Sequence, residues 1–158
     1  MWGFDSPLRH QAVHSIRTLN KTHHRDTATR GIRQIALDAP VGLEVSGSSM
    51  LPLLQPGCRV VIAPRRIYLP GDIVAFRSDK GNLLVHRVLG YRPYIFGLYI
   101  QTAGDAAPSL DRPIRRADIL GRVVEGDCHS EIFRIPLSTR IAAISRLAGR
   151  VVQKAIKG

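Results

Sequence analysis

The chain has 158 residues, of which 44% are apolar, so it is long enough for one core and too apolar to stay disordered. Its 23 basic residues outnumber 12 acidic ones, and the formal charge of +11 favours anionic partners such as phospholipid head groups or nucleic acid. No segment approaches the roughly 20 apolar residues that span a bilayer, and two cysteines make neither a disulfide framework nor a metal-ligand spacing.

Residues 1–40 form a basic, polar accessory segment. They carry His10, His14, His23 and His24 among arginines and lack the continuous apolar block of a secretion signal. The expected location is therefore cytoplasmic, or peripheral on a membrane. Pro7 can open a short helix with Leu8, Ala12, Ile16 and Leu19 near one face, and Ile32, Ile35 and Ala36 can add a turn before Pro40.

Residues 41–136 change character. Leu43–Val45, Arg59–Ala63, Asp72–Arg77, Leu83–Leu89, Tyr94–Thr102, Ile119–Glu125 and Glu131–Ile135 are short, β-branched-rich runs. Gln55-Pro56-Gly57, Leu69-Pro70-Gly71 and Asp79-Lys80-Gly81-Asn82 separate them with turn chemistry. Seven strands predict a mainly β barrel or sandwich, with a hairpin over Asp72–Leu89. Cys58 and Cys128 read as two separate thiols, with a single bridge between them as the open alternative.

Residues 137–158 hold five basic residues and no acid. Ile141, Ile144, Leu147, Ala148, Val151, Val152, Ala155 and Ile156 recur at helical spacing, with Arg146, Arg150, Lys154 and Lys157 on other faces. This predicts an amphipathic basic helix capped by Ser138 or Thr139. Such a helix fits peripheral contact with an anionic membrane through residues 138–157, or packing on the β domain.

Three reactive groups sit in distinctive contexts. Ser49 lies in Ser46-Gly47-Ser48-Ser49-Met50-Leu51-Pro52, where small residues let a substrate approach the backbone. His86 lies in the apolar run Val85-His86-Arg87-Val88 and can serve as a base near neutral pH. Asp105 follows Gly104, and Asp111 comes six residues later; either carboxylate can accept from the second ring nitrogen of His86. Singly, each reads as a structural residue. Together they are the parts of an activated-serine site, because a serine attacks a carbonyl only when an oriented base takes its proton.

The series Ser-Met-x-Pro, Pro-Gly-Asp-Ile-Val (70–74), Val-His-Arg-Val (85–88), Gly-Asp (104–105) and Leu-Gly-Arg-Val (120–123) resembles the signal peptidase I superfamily over about Glu44–Glu125. Histidine at the base position is similar to the Ser/His branch. The resemblance implies a signal-peptidase and SOS-repressor type of β barrel built of coiled sheets. It also implies a serine endopeptidase that cleaves a peptide or preprotein, with small side chains before the cleaved bond. Ser49 matches the nucleophile, His86 the general base, and Asp105 and Asp111 the two aspartates. The backbone around Ser48 and Ser49 would serve the oxyanion, and Ser48 and Met50 would flank the substrate. Neither cofactor nor metal is implied.

The chain departs from that pattern in three places. No transmembrane anchor of the kind typical relatives carry is expected from this sequence, Gly47 stands where relatives often carry a serine that assists the oxyanion, and Asp105-Ala106-Ala107 stands where Asp-Asn-Asn or similar commonly follows the family's glycine. Two alternatives stand beside the endopeptidase. A self-cleaving repressor shares the fold, but forty N-terminal residues are few for a helix-turn-helix and its base is usually lysine. A non-catalytic membrane- or nucleic-acid-binding module fits the charge but leaves the Ser/His/Asp set unexplained. Nucleic acid is the less expected partner, because no aromatic-rich basic groove is visible.

Overall fold

The computed structural model describes residues 40–128 and 135–157. Six antiparallel strands form one sheet: β1 (Val41–Glu44), β2 (Arg59–Ala63), β3 (Ile73–Arg77), β4 (Leu83–Tyr94), β5 (Gly97–Ala103) and β6 (Ile119–Gly126), in spatial order β1-β2-β6-β3-β4-β5. An α-helix, α1 (Leu137–Lys157), follows. The expected N-terminal helix and most of the Glu131–Ile135 strand lie outside the described residues.

The alternation of strand side chains explains the core. Ile73 and Ala75 belong to one buried cluster with Met50, Leu54, Val60, Ile62 and Val123. Val74 and Phe76, pointing the other way, join Tyr68, Val88, Ile100 and Ile114 in a second. β3 is thus covered on both faces, which is why it reads as an unbroken apolar run. The expected hairpin with β4 forms, in a register that sets Val74 opposite His86, closed by the Gly81 N–H bonded to the Ser78 carbonyl.

Four expectations are corrected. First, the sheet does not close into a barrel among the described residues. β1 pairs with β2 only, and the outer edge of β5 takes the short Ile114 segment through a bridge at Ile100 instead of another long strand. Second, Tyr94–Thr102 is not one strand. β4 runs on to Tyr94, Ile95-Phe96 form the hairpin apex, and Gly97 takes φ +126, a region closed to most side chains, to turn the chain back. Third, Cys58 and Cys128 form a disulfide, with Cα atoms 5.8 Å apart. The end of β6 is tied to the start of β2, where Asp127 Oδ1 accepts the Arg59 N–H at 2.9 Å and the Arg59 carbonyl accepts the Asp127 N–H at 3.1 Å. That brings together two cysteines 70 residues apart.

The fourth correction concerns the helix. Its first turn starts at Leu137, and the Pro136 carbonyl accepts the Arg140 N–H, so Ser138 and Thr139 lie inside the helix and not at its cap. Its packed face is not its most apolar one. Ala143 is buried against Leu89 and Ala103, with Leu147 beside them. Arg140 and Arg146 reach inward to backbone carbonyls, while Leu137, Ile141, Ile144, Val152 and Ile156 are exposed. Among the described residues no helix is long and apolar enough to cross a membrane.

Candidate active site

Ser49 sits in a tight turn between β1 and β2. The Ser48 carbonyl accepts the Leu51 N–H, and the Met50 carbonyl accepts the Leu54 N–H. Met50 and Leu54 drop into the first core cluster and anchor the turn from below. Ser49 is left half-buried at the surface, with Ser48 and Gly47 exposed beside it. Met50 therefore does not line a substrate site with its side chain; core burial claims it.

His86 is buried near the start of β4, with its ring edge-on to Phe76. Its Nε2 lies 2.9 Å from Ser49 Oγ, and its Nδ1 lies 2.7 Å from Asp111 Oδ2. A carboxylate only accepts, so Nδ1 carries the proton, and Nε2 is left to accept from the serine hydroxyl.

Asp111 is itself held. Thr102 Oγ1 donates to the same Oδ2 at 2.8 Å, the Asp111 N–H donates to the Thr102 carbonyl, and Gln101 Nε2 donates to the Asp111 carbonyl at 2.6 Å. Thr102 and Gln101 are fully buried polar residues of β5. They carry no motif. The one sequence signal was two adjacent polar residues inside an otherwise apolar strand.

Asp105 goes elsewhere. Its two oxygens take Arg87 Nε at 2.8 Å and Nη2 at 2.6 Å in a two-pronged pair, while Arg87 Nη1 donates to the Gly71 carbonyl. Neighbouring β4 residues point to opposite faces, so His86 collects one aspartate and Arg87 the other. Asp105 does not orient His86.

The loop that carries Asp105 touches the serine directly. The Ser49 carbonyl accepts the Ala106 N–H at 2.9 Å. A Cβ on Gly104 would stand 2.6 Å from that carbonyl oxygen and 2.9 Å from Ser49 Cβ, so only glycine admits this approach. From the other side, Arg146 Nη2 donates to the carbonyls of Gly104 (3.0 Å) and Ala107 (2.9 Å). Arg140 does the same for the turn before β3, donating to the Pro70 carbonyl and to Asp72. A cavity of about 620 Å³ borders Asp111, Phe76 and Tyr99, but neither Ser49 nor His86 lines it.

The sequence profile of the peptidase S24-like family matches residues 12–124. The chain belongs to that family. The family lies in the clan that joins self-cleaving repressors with signal peptidases, so membership is consistent with either kind of serine peptidase. No curated protein matches this chain.

Proposed function

We propose that this S24-like chain is a serine endopeptidase of the signal-peptidase type, with Ser49 as nucleophile, His86 as general base and Asp111 as the group that orients His86. The observation that carries the reading is the continuous hydrogen-bonded line Ser49 Oγ–His86 Nε2 and His86 Nδ1–Asp111 Oδ2, at 2.9 and 2.7 Å.

The steps follow from that line. His86 Nε2 takes the Ser49 proton as Oγ attacks the peptide carbonyl. Asp111 stabilises the imidazolium and fixes the ring; it need not itself be protonated. The backbone N–H groups around Ser48 and Ser49 would donate to the oxyanion. His86 returns the proton to the leaving amine, leaving an acyl ester on Ser49. Water, deprotonated by the same nitrogen, then releases the acyl group. The substrate is a peptide or preprotein segment with small side chains before the cleaved bond, as the family resemblance implies.

The test is cleavage of a peptide library by the purified protein, with Ser49→Ala and His86→Ala as controls. Either substitution is expected to lower turnover at least about 10³-fold while the fold survives. Full turnover by Ser49→Ala sinks the proposal. Family membership also supports self-cleavage, so the wild-type chain should be incubated alone. A Ser49-dependent cut between Arg30 and Glu44 in place of cleavage of the library would favour the repressor-like reading.

A further inference from the structure

At the far end of the hairpin from His86, β4 and β5 turn through Ile95 and Phe96, which are 95% and 85% exposed. Turn apices ordinarily carry Gly, Asn, Asp or Ser, whose backbone preferences suit the bend; Ile-Phe offers no such advantage. Nor is the tip a frayed end, since the strands pair up to Tyr94 opposite Gly97. A strand-paired arm therefore holds out two large apolar side chains, with Leu98 exposed beside them.

What lies behind the tip is ordered by depth. Tyr94 and Tyr99 pack ring to ring at 5.0 Å, and the Arg115 guanidinium stands 5.7 Å over the Tyr99 ring while its Nε donates to the Tyr99 hydroxyl. Arg92, opposite Tyr99, adds a second cation, and the run Tyr91–Tyr99 has no acid. Tyr99 is three residue steps from Phe96, roughly 10 Å at about 3.3 Å per step. An apolar tip, then tyrosines, then arginines within about 10 Å matches acyl chains, interface and phosphate head groups in turn. A convex two-residue apex cannot supply the roughly 800 Å² per partner of a stable protein interface, whereas fluid lipid closes around a protrusion.

We infer that the β4–β5 hairpin tip is a lipid-binding element that inserts Ile95 and Phe96 into an anionic membrane surface and seats Arg92 and Arg115 on its head groups. The inference does not rest on the proposed peptidase activity and is tested without it. The full chain is mixed with vesicles of phosphatidylcholine and phosphatidylglycerol (3:1) or of phosphatidylcholine alone, and the bound fraction is measured by flotation. Wild type is expected to bind the anionic vesicles at least tenfold more tightly than the neutral ones. Ile95→Ser/Phe96→Ser should lose at least tenfold in partitioning with an unchanged melting temperature, and Arg115→Ala should lose affinity only for the anionic vesicles. Undiminished binding by the double variant overturns the inference. So does loss of binding in Ile141→Ser/Ile144→Ser instead, which would assign lipid contact to α1. A lipid-free dimer in analytical ultracentrifugation that the tip variant dissociates would assign the tip to a second copy and overturn it as well.

Discussion

Asp111 Oδ2 stands 2.7 Å from His86 Nδ1, while Asp105, one residue along in β4 partnership, is committed to Arg87. The two carboxylates share a loop but not a task. If Asp111 sets the tautomer of His86, an amide in its place can present a donor to Nδ1 and leave the proton on Nε2, where it blocks the serine. Asp111→Asn is expected to lower kcat about 10³–10⁴-fold with little change in KM. Asp105→Asn keeps one oxygen acceptor for Arg87 and should cost far less in kcat, with its main effect on melting temperature. Equal losses in kcat from the two substitutions would contradict this division.

Gly104→Ala tests the contact between the aspartate loop and the nucleophile. The added methyl meets backbone, the Ser49 carbonyl at 2.6 Å, which cannot swing aside as a side-chain end can. Overpacking of this kind costs about 1–3 kcal/mol. The loop or the serine turn must retreat, and a small shift of Oγ from Nε2 weakens proton transfer. A lowered denaturation midpoint together with at least a tenfold fall in kcat is expected. A stable variant with normal turnover would show that the approach is not needed.

Gly47 faces the opposite condition. Beyond its two chain neighbours, no atom lies within 4 Å of where its Cβ would stand. Serine therefore fits without displacement, and it would add a hydroxyl near the carbonyl under attack. One oxyanion donor is worth about 10²–10³-fold where it is well aimed. At an exposed position the gain is smaller, and Gly47→Ser is expected to raise kcat by about tenfold or less while Gly47→Ala leaves it unchanged. A rise in both variants would point to stiffening of the turn as the cause.

The strands were legible wherever local chemistry and burial agree. The Asp72–Leu89 hairpin has two apolar, β-branched-rich arms and a glycine at φ +77 in its turn. Ser49, His86 and the two aspartates were legible as a set, but the choice between Asp105 and Asp111 was not, because it depends on which face of β4 each loop residue meets. The Ile95-Phe96 turn was hidden for the converse reason: β-prone residues occupy a bend that Gly97 and the length of β4 impose. The helix misled most. Its spacing marks an apolar stripe, yet the body presents bare loop carbonyls, and arginines satisfy those better than leucines do.

Reducing the Cys58–Cys128 disulfide should weaken the whole β2–β6 side of the sheet. A bridge across 70 residues restricts the unfolded chain, an effect of about 4 kcal/mol in the chain-entropy account. Urea unfolding with and without a phosphine reductant should show a loss of about 2–4 kcal/mol, matched by Cys58→Ser/Cys128→Ser in oxidising buffer. Cys58 also closes the segment that begins at Ser49, since the Val45 N–H donates to its carbonyl. Turnover at moderate urea is therefore expected to fall in the reduced protein before global unfolding. Identical curves in both states would remove any structural part for the bridge.

Arg146 links the helix to the chemistry. Its Nη2 holds the Gly104 and Ala107 carbonyls, and the amide of Ala106 between them holds the Ser49 carbonyl. The guanidinium never reaches Oγ, so it acts by position, keeping the loop against the serine from behind. Arg146→Ala removes two charge-assisted bonds to partly buried carbonyls, worth about 1.5–3 kcal/mol each at most and less here because the group is part-exposed. A drop of about tenfold in kcat with KM nearly constant is expected, since the loop shift disturbs Ser49 and leaves the substrate-facing surface in place. Lysine can reach one carbonyl but not fork between two, so Arg146→Lys should recover only part of the loss. Guanidinium ion at tens of millimolar should restore activity to Arg146→Ala, with no such gain for Ser49→Ala. A stability loss that guanidinium does not reverse, with kcat unchanged, would reduce Arg146 to a helix tether.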